Sequence, residues 1–270
     1  MSPDIPDYSP PPAKAFTLAT DLDGTFLGGS EADRRALYSW IDAHRDAVEL
    51  IFVTGRDLAF IEDSCAAGVM PWPDFVVGDV GTTIAKHDPQ NGLMIPDGRL
   101  EAHIARLWGE GIGPLASILD AAPGITPQDG VFRYRMSYHY NPQAFDPAIK
   151  PAIEEAGFDC LISDNRFLDV LPKGVSKGPS LMRLLEWLET PRHRVLVAGD
   201  TLNDLSLFET GLKGVAVGNS EPALIERITH RANVHFASAH GAAGIWEAIR
   251  VLGFYDIAAN AANTNKEALV

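Results

Sequence analysis

Asp21 and Asp23 stand one residue apart at the end of the apolar stretch "FTLAT", and Gly24 follows at once. Like charges that close repel, so one carboxyl must keep a proton or a cation must join them. Asp200 and Asp204 follow the apolar run "RVLVAG", with Asn203 between them. Thr54 and Gly55 follow "ELIFV", and Lys177 comes just after "LDVLPKGVS". Carboxylates around a hard divalent cation, with a hydroxyl, backbone N–H groups and a lysine alongside, suit phosphoryl transfer. Magnesium takes oxygen ligands and keeps several of its waters. One carboxylate can attack phosphorus and carry an aspartyl-phosphate, and its neighbour can move the proton. A lysine neutralises the charge that develops on phosphoryl oxygens. A cation at a helix N-terminus opposes the helix dipole, so Lys177 points to an anionic partner.

The elements that must position these groups are legible as periodic patterns. Phe16–Thr20 reads as a buried strand, "EADRRALYSWIDAH" as a helix, "VELIFV" as a second buried strand, "DLAFIEDSCAAG" as helical and "DFVVGDVGTTIA" as strand-like with a glycine-rich break. After Lys173 the alternation resumes with "KGPSLMRLLEWLE", "RVLVAGD", "NDLSLFETG", "GVAVGN" and "SEPALIERITH". Continuous apolar strands alternating with helices predict an α/β fold, a doubly wound parallel sheet covered on both faces. Ligands bind such sheets beyond the carboxyl ends of the strands, and each group named above sits at such an end.

The middle of the chain reads differently. "GRLEAHIARLWGEG" predicts a helix with Leu100, Ile104, Leu107 and Trp108 on one face, "VFRYRMSYHY" a half-exposed strand, "FDPAIKPAIEEAG" a short helix capped by Asp146, and "NRFLDVLP" another strand. The expected organisation is a disordered tail over 1–14, a core built from 15–85 and 171–255, an inserted α+β subdomain over 86–170, and a C-terminal tail over 256–270.

Composition narrows the function classes. With 270 residues, 46% hydrophobic and 21% charged, the chain is enzyme-sized. A net charge of −14 disfavours a nucleic-acid partner. No apolar run approaches the ~18 residues of a membrane span. The N-terminus lacks the basic start and apolar middle of a signal peptide, so a cytoplasmic location is the expectation. Cys65 and Cys160 suggest neither a disulfide framework nor a metal knuckle.

"DLDGT", "VTGR", "PKGVSKG" and "GDTLND" resemble, in this order, the four motifs of the haloacid dehalogenase (HAD) superfamily of phosphatases. "FVVGDVGTTI", "RMSYHY", "LDVLPKGVSKG" and "AHGAAGIWEAI" resemble its sucrose-phosphate phosphatase branch, which carries an α/β cap between the second and third motifs. The resemblance implies a HAD-like Rossmannoid core and a magnesium-dependent phosphatase acting on a disaccharide phosphate such as sucrose 6-phosphate. It implies Asp21 as nucleophile and metal ligand, and Asp23 as acid/base, binding magnesium through its backbone carbonyl. Asp200 becomes the third ligand, and Asp204 a further or water-bridged one. Thr54, Gly55, Lys177 and Asn203 would hold phosphate, and Arg56 would touch substrate. Arg135, Ser137, Tyr138 and Tyr140 in the cap are the candidates for the sugar. Mannosylfructose phosphate, mannosyl-phosphoglycerate and a broad range of sugar phosphates remain alternatives, and association with a glycosyltransferase is compatible with all of them. The complete acidic set argues against a silent sugar-phosphate-binding module.

Overall fold

Strands that are apolar throughout need cover on both faces, and the computed structural model, which describes residues 9–267, provides it. The strands are β1 (Phe16–Thr20), β2 (Val48–Val53), β3 (Phe75–Gly78), β4 (Thr83–Asp88), β5 (Leu93–Pro96), β6 (Ile125–Pro127), β7 (Met136–Tyr140), β8 (Phe158–Ser163), β9 (Phe167–Pro172), β10 (Val195–Gly199), β11 (Lys213–Ala216) and β12 (Val234–Phe236). The helices are α1 (Glu31–Ala43), α2 (Leu58–Ala66), α3 (Gly98–Trp108), α4 (Gly113–Asp120), α5 (Ile149–Glu155), α6 (Lys177–Trp187), α7 (Leu205–Glu209), α8 (Pro222–Ile228), α9 (Gly241–Val251) and α10 (Phe254–Glu267).

Eight strands form one sheet, in the order β12-β11-β10-β1-β2-β3-β4-β5. Every pair from β12 to β3 is parallel, while β4 and β5 turn back antiparallel. The sheet is therefore mixed rather than wholly parallel. A short turn between β3 and β4 leaves no room for a crossover helix, so that pair has to run antiparallel. The chain enters in the middle at β1, winds outward through β2 and β3, and returns on the other side at β10. The strand order reverses between β1 and β10, which is where an α/β sheet opens a ligand crevice.

The period of two sorts the core. Phe16, Leu18, Leu50, Phe52, Leu196 and Ala198 pack with α1, α9 and α10. Ala19, Ile51, Val53, Val195 and Val197 pack on the other side with Leu181, Leu184 and Leu185 of α6. Among the described residues no helix is long and apolar enough to cross a membrane.

A second, antiparallel sheet has the order β6-β7-β9-β8. Leu115 and Leu119 of α4 and Ile149 and Ile153 of α5 cover one face of it, against Tyr138, Leu168 and Val170. At its edge, β8 lies against the Leu202–Asp204 turn of the large domain.

Several boundaries differ from those expected. Residue 86 lies inside β4, and the large sheet continues to Pro96. Leu100 and Ile104 of α3 belong to the large core, whereas Trp108 packs on the small one and Leu107 is exposed, so this helix joins the two domains. The other boundary, at 170/171, cuts β9, which runs on to Pro172. The expected C-terminal tail is largely helix: Phe254 and Ala258 of α10 are buried, and Phe254 stacks on Phe16. Residues 1–8 of the expected N-terminal tail, and 268–270, lie outside the described residues. Lys14 is anchored, bonding Asp74 at 2.9 Å and the Val48 carbonyl at 3.2 Å. Only Met136–Tyr140 of "VFRYRMSYHY" is strand. Asp146 caps a turn, accepting from the Ala148 N–H at 2.9 Å, and α5 begins later, at Ile149.

One buried acid lies far from the ligand crevice. Glu49 on β2 is 2% exposed and within 3.5 Å of the Thr17 hydroxyl. Burial, reinforced by the charge of Asp74, raises its carboxyl from 4.5 to about 7, against the opposing pull of Lys14 and Arg45. A raised folded-state pKa means that stability is greatest below the unfolded value and is lost as pH rises through the folded one. The loss falls between about pH 4.5 and 7 and is on the order of 3 kcal/mol. Glu49→Gln should therefore flatten the fall of the urea midpoint from pH 5 to 8; equal slopes for both proteins would remove this role for Glu49.

Candidate active site

The crevice between β1 and β10 is where the acidic residues meet. Register pairs Thr20 with Ala198, so Asp21 and Asp200 leave adjacent strands nearly side by side. The Asp21 N–H donates to the Ala198 carbonyl at 2.9 Å, which fixes the start of the loop. Carboxylate oxygens of Asp21, Asp200 and Asp204 lie within 4.8 Å of one another, and all three residues are buried. Lys177 at the start of α6 is fully buried, and its Nζ donates at 2.7 Å to each of Asp21 Oδ1, Asp204 Oδ1 and Asn203 Oδ1.

The electrostatics leave a deficit of positive charge. Burial raises the Asp21 carboxyl well above its usual range, Lys177 opposes this, and Asp204 and Asp200 add to it. Burial and then Asp204 raise Asp200 to about 7, against the Thr25 hydrogen bond. For Lys177, burial works against the ammonium, but Asp204 and Asp21 outweigh it and hold its proton more tightly than usual. With all three carboxylates ionised, one ammonium would leave two negative charges in a buried space, which is what raises the Asp21 and Asp200 carboxyls beyond the effect of burial. A divalent cation with oxygen ligands fits that donor set in charge and chemistry.

Asp204 has a different position from Asp21 and Asp200. Its Oδ1 accepts from Lys177, and its Oδ2 accepts from the N–H groups of Asp200 and Thr201 at 2.9 and 3.1 Å. With both oxygens engaged, Asp204 holds Lys177 and shapes the 200–204 turn. Asp200 is held by two neighbours outside the expected site residues, Thr25 of "DLDGT" and Asn219. Thr25 Oγ1 donates to its Oδ1 at 2.8 Å, and Asn219 Nδ2 reaches its Oδ2 at 3.3 Å and the Gly24 carbonyl at 3.0 Å. The signal for Asn219 was its place just past β11, beside β10.

Gly24 is required by space as well as by backbone conformation. It has φ +78°, and a Cβ there would lie 2.1 Å from Asp200 Oδ2. Gly24→Ala must push Asp200 out of the cluster. Turnover should fall about 10²-fold, as for a ~1 Å misplacement of a reacting group, with the protein still folded by circular dichroism. Undiminished turnover would show that Asp200 need not stand where it does.

Asp23 is placed apart from the acidic cluster. Its carboxylate is half-exposed and forms a two-point pair with Arg56, at 2.8 Å to Nε and 2.7 Å to Nη2. Of the four expected metal-binding residues, Asp21, Asp200 and Asp204 bring their carboxylates together, whereas the Asp23 side chain lies apart, which leaves its expected role through the backbone carbonyl untouched. Arg56 also lies over the Phe60 ring at 4.2 Å. Thr54 is buried just past the end of β2, next to β1, and its Oγ1 accepts from the Arg56 N–H at 3.1 Å.

In the small domain, alternation splits the expected sugar residues between two faces. Tyr138 is wholly buried in that domain's apolar core, and Tyr140 packs edge-on against Phe145. Neither faces the crevice, which corrects the expectation for both. Ser137 and Arg135 lie on the other face. Ser137 Oγ donates to Asp169 at 2.5 Å, and Arg135 donates to Asp169 at 3.2 Å, Asp79 at 3.1 Å and the Gly55 carbonyl at 3.2 Å. Burial raises the Asp169 carboxyl, against Arg135 and Ser137. Asp79 and Asp169 were not singled out in sequence; Asp79 sits in the glycine-rich "GDVGTT", whose turn is left-handed at Asp79 (φ 52°) and Val80 (φ 59°). Such a conformation costs a β-branched residue on the order of 1–3 kcal/mol and persists only where its surroundings impose it.

Comparison with known proteins bears on the family and the fold. The family model for sucrose-6F-phosphate phosphohydrolase matches residues 14–253. A mannosylfructose-phosphate phosphatase from Agrobacterium fabrum is 32% identical over 251 residues, covering 87% of this chain and 96% of that protein. A glucosylglycerol-phosphate synthase from Pseudomonas anguilliseptica is 42% identical over 238 residues, 88% of this chain. The chain spans only 31% of that synthase's length. Among solved structures, the sucrose-phosphatase from Synechocystis in complex with sucrose and phosphate superposes with a TM-score of 0.79 at 25% identity, covering 89% of this chain and 98% of that one.

Proposed function

The chain belongs to the sucrose-6F-phosphate phosphohydrolase family, within the HAD-like phosphatases, and from that premise we propose that it hydrolyses the phosphate monoester of an uncharged glycoside, using magnesium and an aspartyl-phosphate on Asp21. The observation that carries this reading is the buried set of Asp21, Asp200, Asp204 and Lys177 at the strand-order reversal of the large sheet. Asp21 and Asp200 would hold the metal, which supplies charge neutralisation at the phosphoryl oxygens.

Asp21 attacks phosphorus as the ester P–O bond breaks, and the leaving sugar oxygen takes a proton from Asp23. To serve, Asp23 must leave its pair with Arg56, and that frees the guanidinium for the substrate. In the second half, Asp23 takes the proton of a water that attacks the phosphoaspartate, which returns Asp21 and releases inorganic phosphate. Lys177 keeps Asp21 aimed and faces the transferring group. Thr54 and the backbone of Gly55 receive the phosphoryl oxygens beyond β2.

The charge between the domains bears on the substrate. Arg135 is shared by Asp79 and Asp169, which leaves that junction one charge negative. Acceptor-only carboxylates suit sugar hydroxyls and repel a further carboxylate, so this favours an uncharged glycoside over a glyceric-acid one such as mannosyl-phosphoglycerate. The mannosylfructose, sucrose and glucosylglycerol named in the similar proteins are all uncharged.

A phosphate-release panel should rank mannosylfructose phosphate, sucrose 6-phosphate and glucosylglycerol phosphate above mannosyl-3-phosphoglycerate, with activity lost in chelator and restored by magnesium. A preference for the glycerate, or no release from any of them, overturns the reading. The synthase similarity favours a second point: a glycosyltransferase that makes the substrate works beside this domain.

A further inference from the structure

We infer that the Asp79–Gly81 turn couples the small domain to the phosphate-binding groups, with Asp79 as the positioning residue that reads the docking of Arg135. The inference rests on the phosphatase reading above.

The turn touches every part that has to act together. On one side, the Asp79 N–H donates to the Arg56 carbonyl and the Val80 N–H to the Thr54 carbonyl, both at 3.0 Å. These two bonds hold the Thr54–Arg56 loop from behind. On a second side, a Cβ on Gly81 would lie 2.4 Å from the Ser176 carbonyl carbon and 2.7 Å from the Lys177 N, so the turn is pressed against the start of α6. The Ser180 hydroxyl closes that contact by donating to the Gly81 carbonyl at 2.6 Å. On the third side lies the small domain. Arg135 reaches Asp79 Oδ1, while Asp79 Oδ2 accepts from Thr83 Oγ1 at 2.7 Å. Arg133 reaches the same Thr83 oxygen at 3.2 Å and pairs with the buried Glu101 at 2.6 and 2.8 Å.

The same Arg135 Nη2 serves both Asp79 and the Gly55 carbonyl. When the small domain docks, a single guanidinium therefore fastens the phosphate loop and the turn behind it. If it withdraws, Asp79 keeps a partly buried carboxylate with one partner fewer, and the left-handed pair Asp79–Val80 loses a restraint. The turn can then relax, and Thr54 on one flank and Lys177 on the other lose their common support. Interiors pass such shifts on because packed elements have little slack.

Asp79→Asn and Arg135→Lys keep size and fold while weakening this contact. Each should lower kcat on the preferred sugar phosphate about 10²-fold, with a smaller change in KM, because the groups misplaced are those facing the transferring phosphoryl. The double variant should be no worse than the poorer single one, since both act through one contact. Deuterium uptake gives a readout that needs no substrate. Both variants should exchange faster over residues 54–58 and 176–181, with β12 unchanged. Faster exchange confined to residues 125–140, or losses that add in the double variant, would overturn the coupling. A wild-type protein inactive on all sugar phosphates would sink the functional reading instead, and the exchange pattern would still decide this one.

Discussion

Asp21→Asn should abolish phosphate release, by at least about 10⁴-fold in kcat, the order seen when a nucleophile is removed, and leave the protein no less stable than the wild type. The two halves of that expectation come from the same geometry. Asp21 Oδ1 accepts from Lys177 at 2.7 Å, and an amide oxygen can keep that bond. The carboxylate itself is disfavoured by burial and by Asp204 and Asp200, so a neutral isostere relieves repulsion. Asn cannot form the acyl phosphate. Matched measurements are phosphate release under single-turnover conditions and a urea melt. Turnover within tenfold of wild type would remove Asp21 as nucleophile. A collapse of stability would show instead that the Asp21 charge is a structural counter-ion to Lys177.

Lys177→Met should have the opposite balance, losing both activity and stability. Its ammonium is 0% exposed and donates to three oxygens at once. Removing it leaves Asp21 and Asp204 buried with no cation of the chain between them. Breaking a buried pair in this way costs roughly 3–5 kcal/mol. The loss should depend on pH in a predictable direction. The Asp21 carboxyl is already raised, and without the lysine, which lowers it, it rises further. A group with a raised folded pKa gives most stability below its unfolded value and loses it as pH rises. The variant should therefore lie nearest to wild type at about pH 4 and diverge toward neutrality. A pH-independent deficit would attribute the loss to side-chain volume. Phosphate release should fall about 10²- to 10³-fold, since a donor aimed at developing charge is worth that much. Arginine is no substitute, because its planar fork does not fit where one nitrogen serves three converging acceptors.

The order of elements in the large domain was legible because its strands are apolar throughout and its helices carry clear periodic faces. The exceptions have specific causes. The second half of β4, β5 and α3 fall within the expected insert, because a short edge strand such as Leu93–Pro96 has too few residues to show a period. β8 was missed, since "FDCLIS" shows no regular alternation between buried and exposed positions. Half the residues of the terminal helix α10 are polar, and among its described side chains only Phe254 and Ala258 are fully buried, too few to announce it. Tyr138 and Tyr140 were grouped with Arg135 and Ser137 because residue type suggested a sugar; strand alternation separates them.

Within the site, the sequence alone determined which residue types stand where strand gives way to turn or helix, and those types carry the chemistry proposed above. Asp21, Asp23, Thr54, Lys177 and Asp200 stand at strand or helix ends in an order that only a carboxyl-edge crevice can use, and residue type restricts what they can do there. The tertiary structure decided how they are shared out. It placed Asp23 at the mouth with Arg56 and gave both Asp204 oxygens to Lys177 and two backbone N–H groups. It set Thr25 and Asn219 on Asp200, and gave Arg135 to Asp79 and Gly55 rather than to open solvent. Such partnerships join residues up to 195 positions apart. Local pattern records which face of an element a side chain occupies; which distant donor reaches it depends on strand order and on how two domains meet, and those follow from burying the whole chain at once.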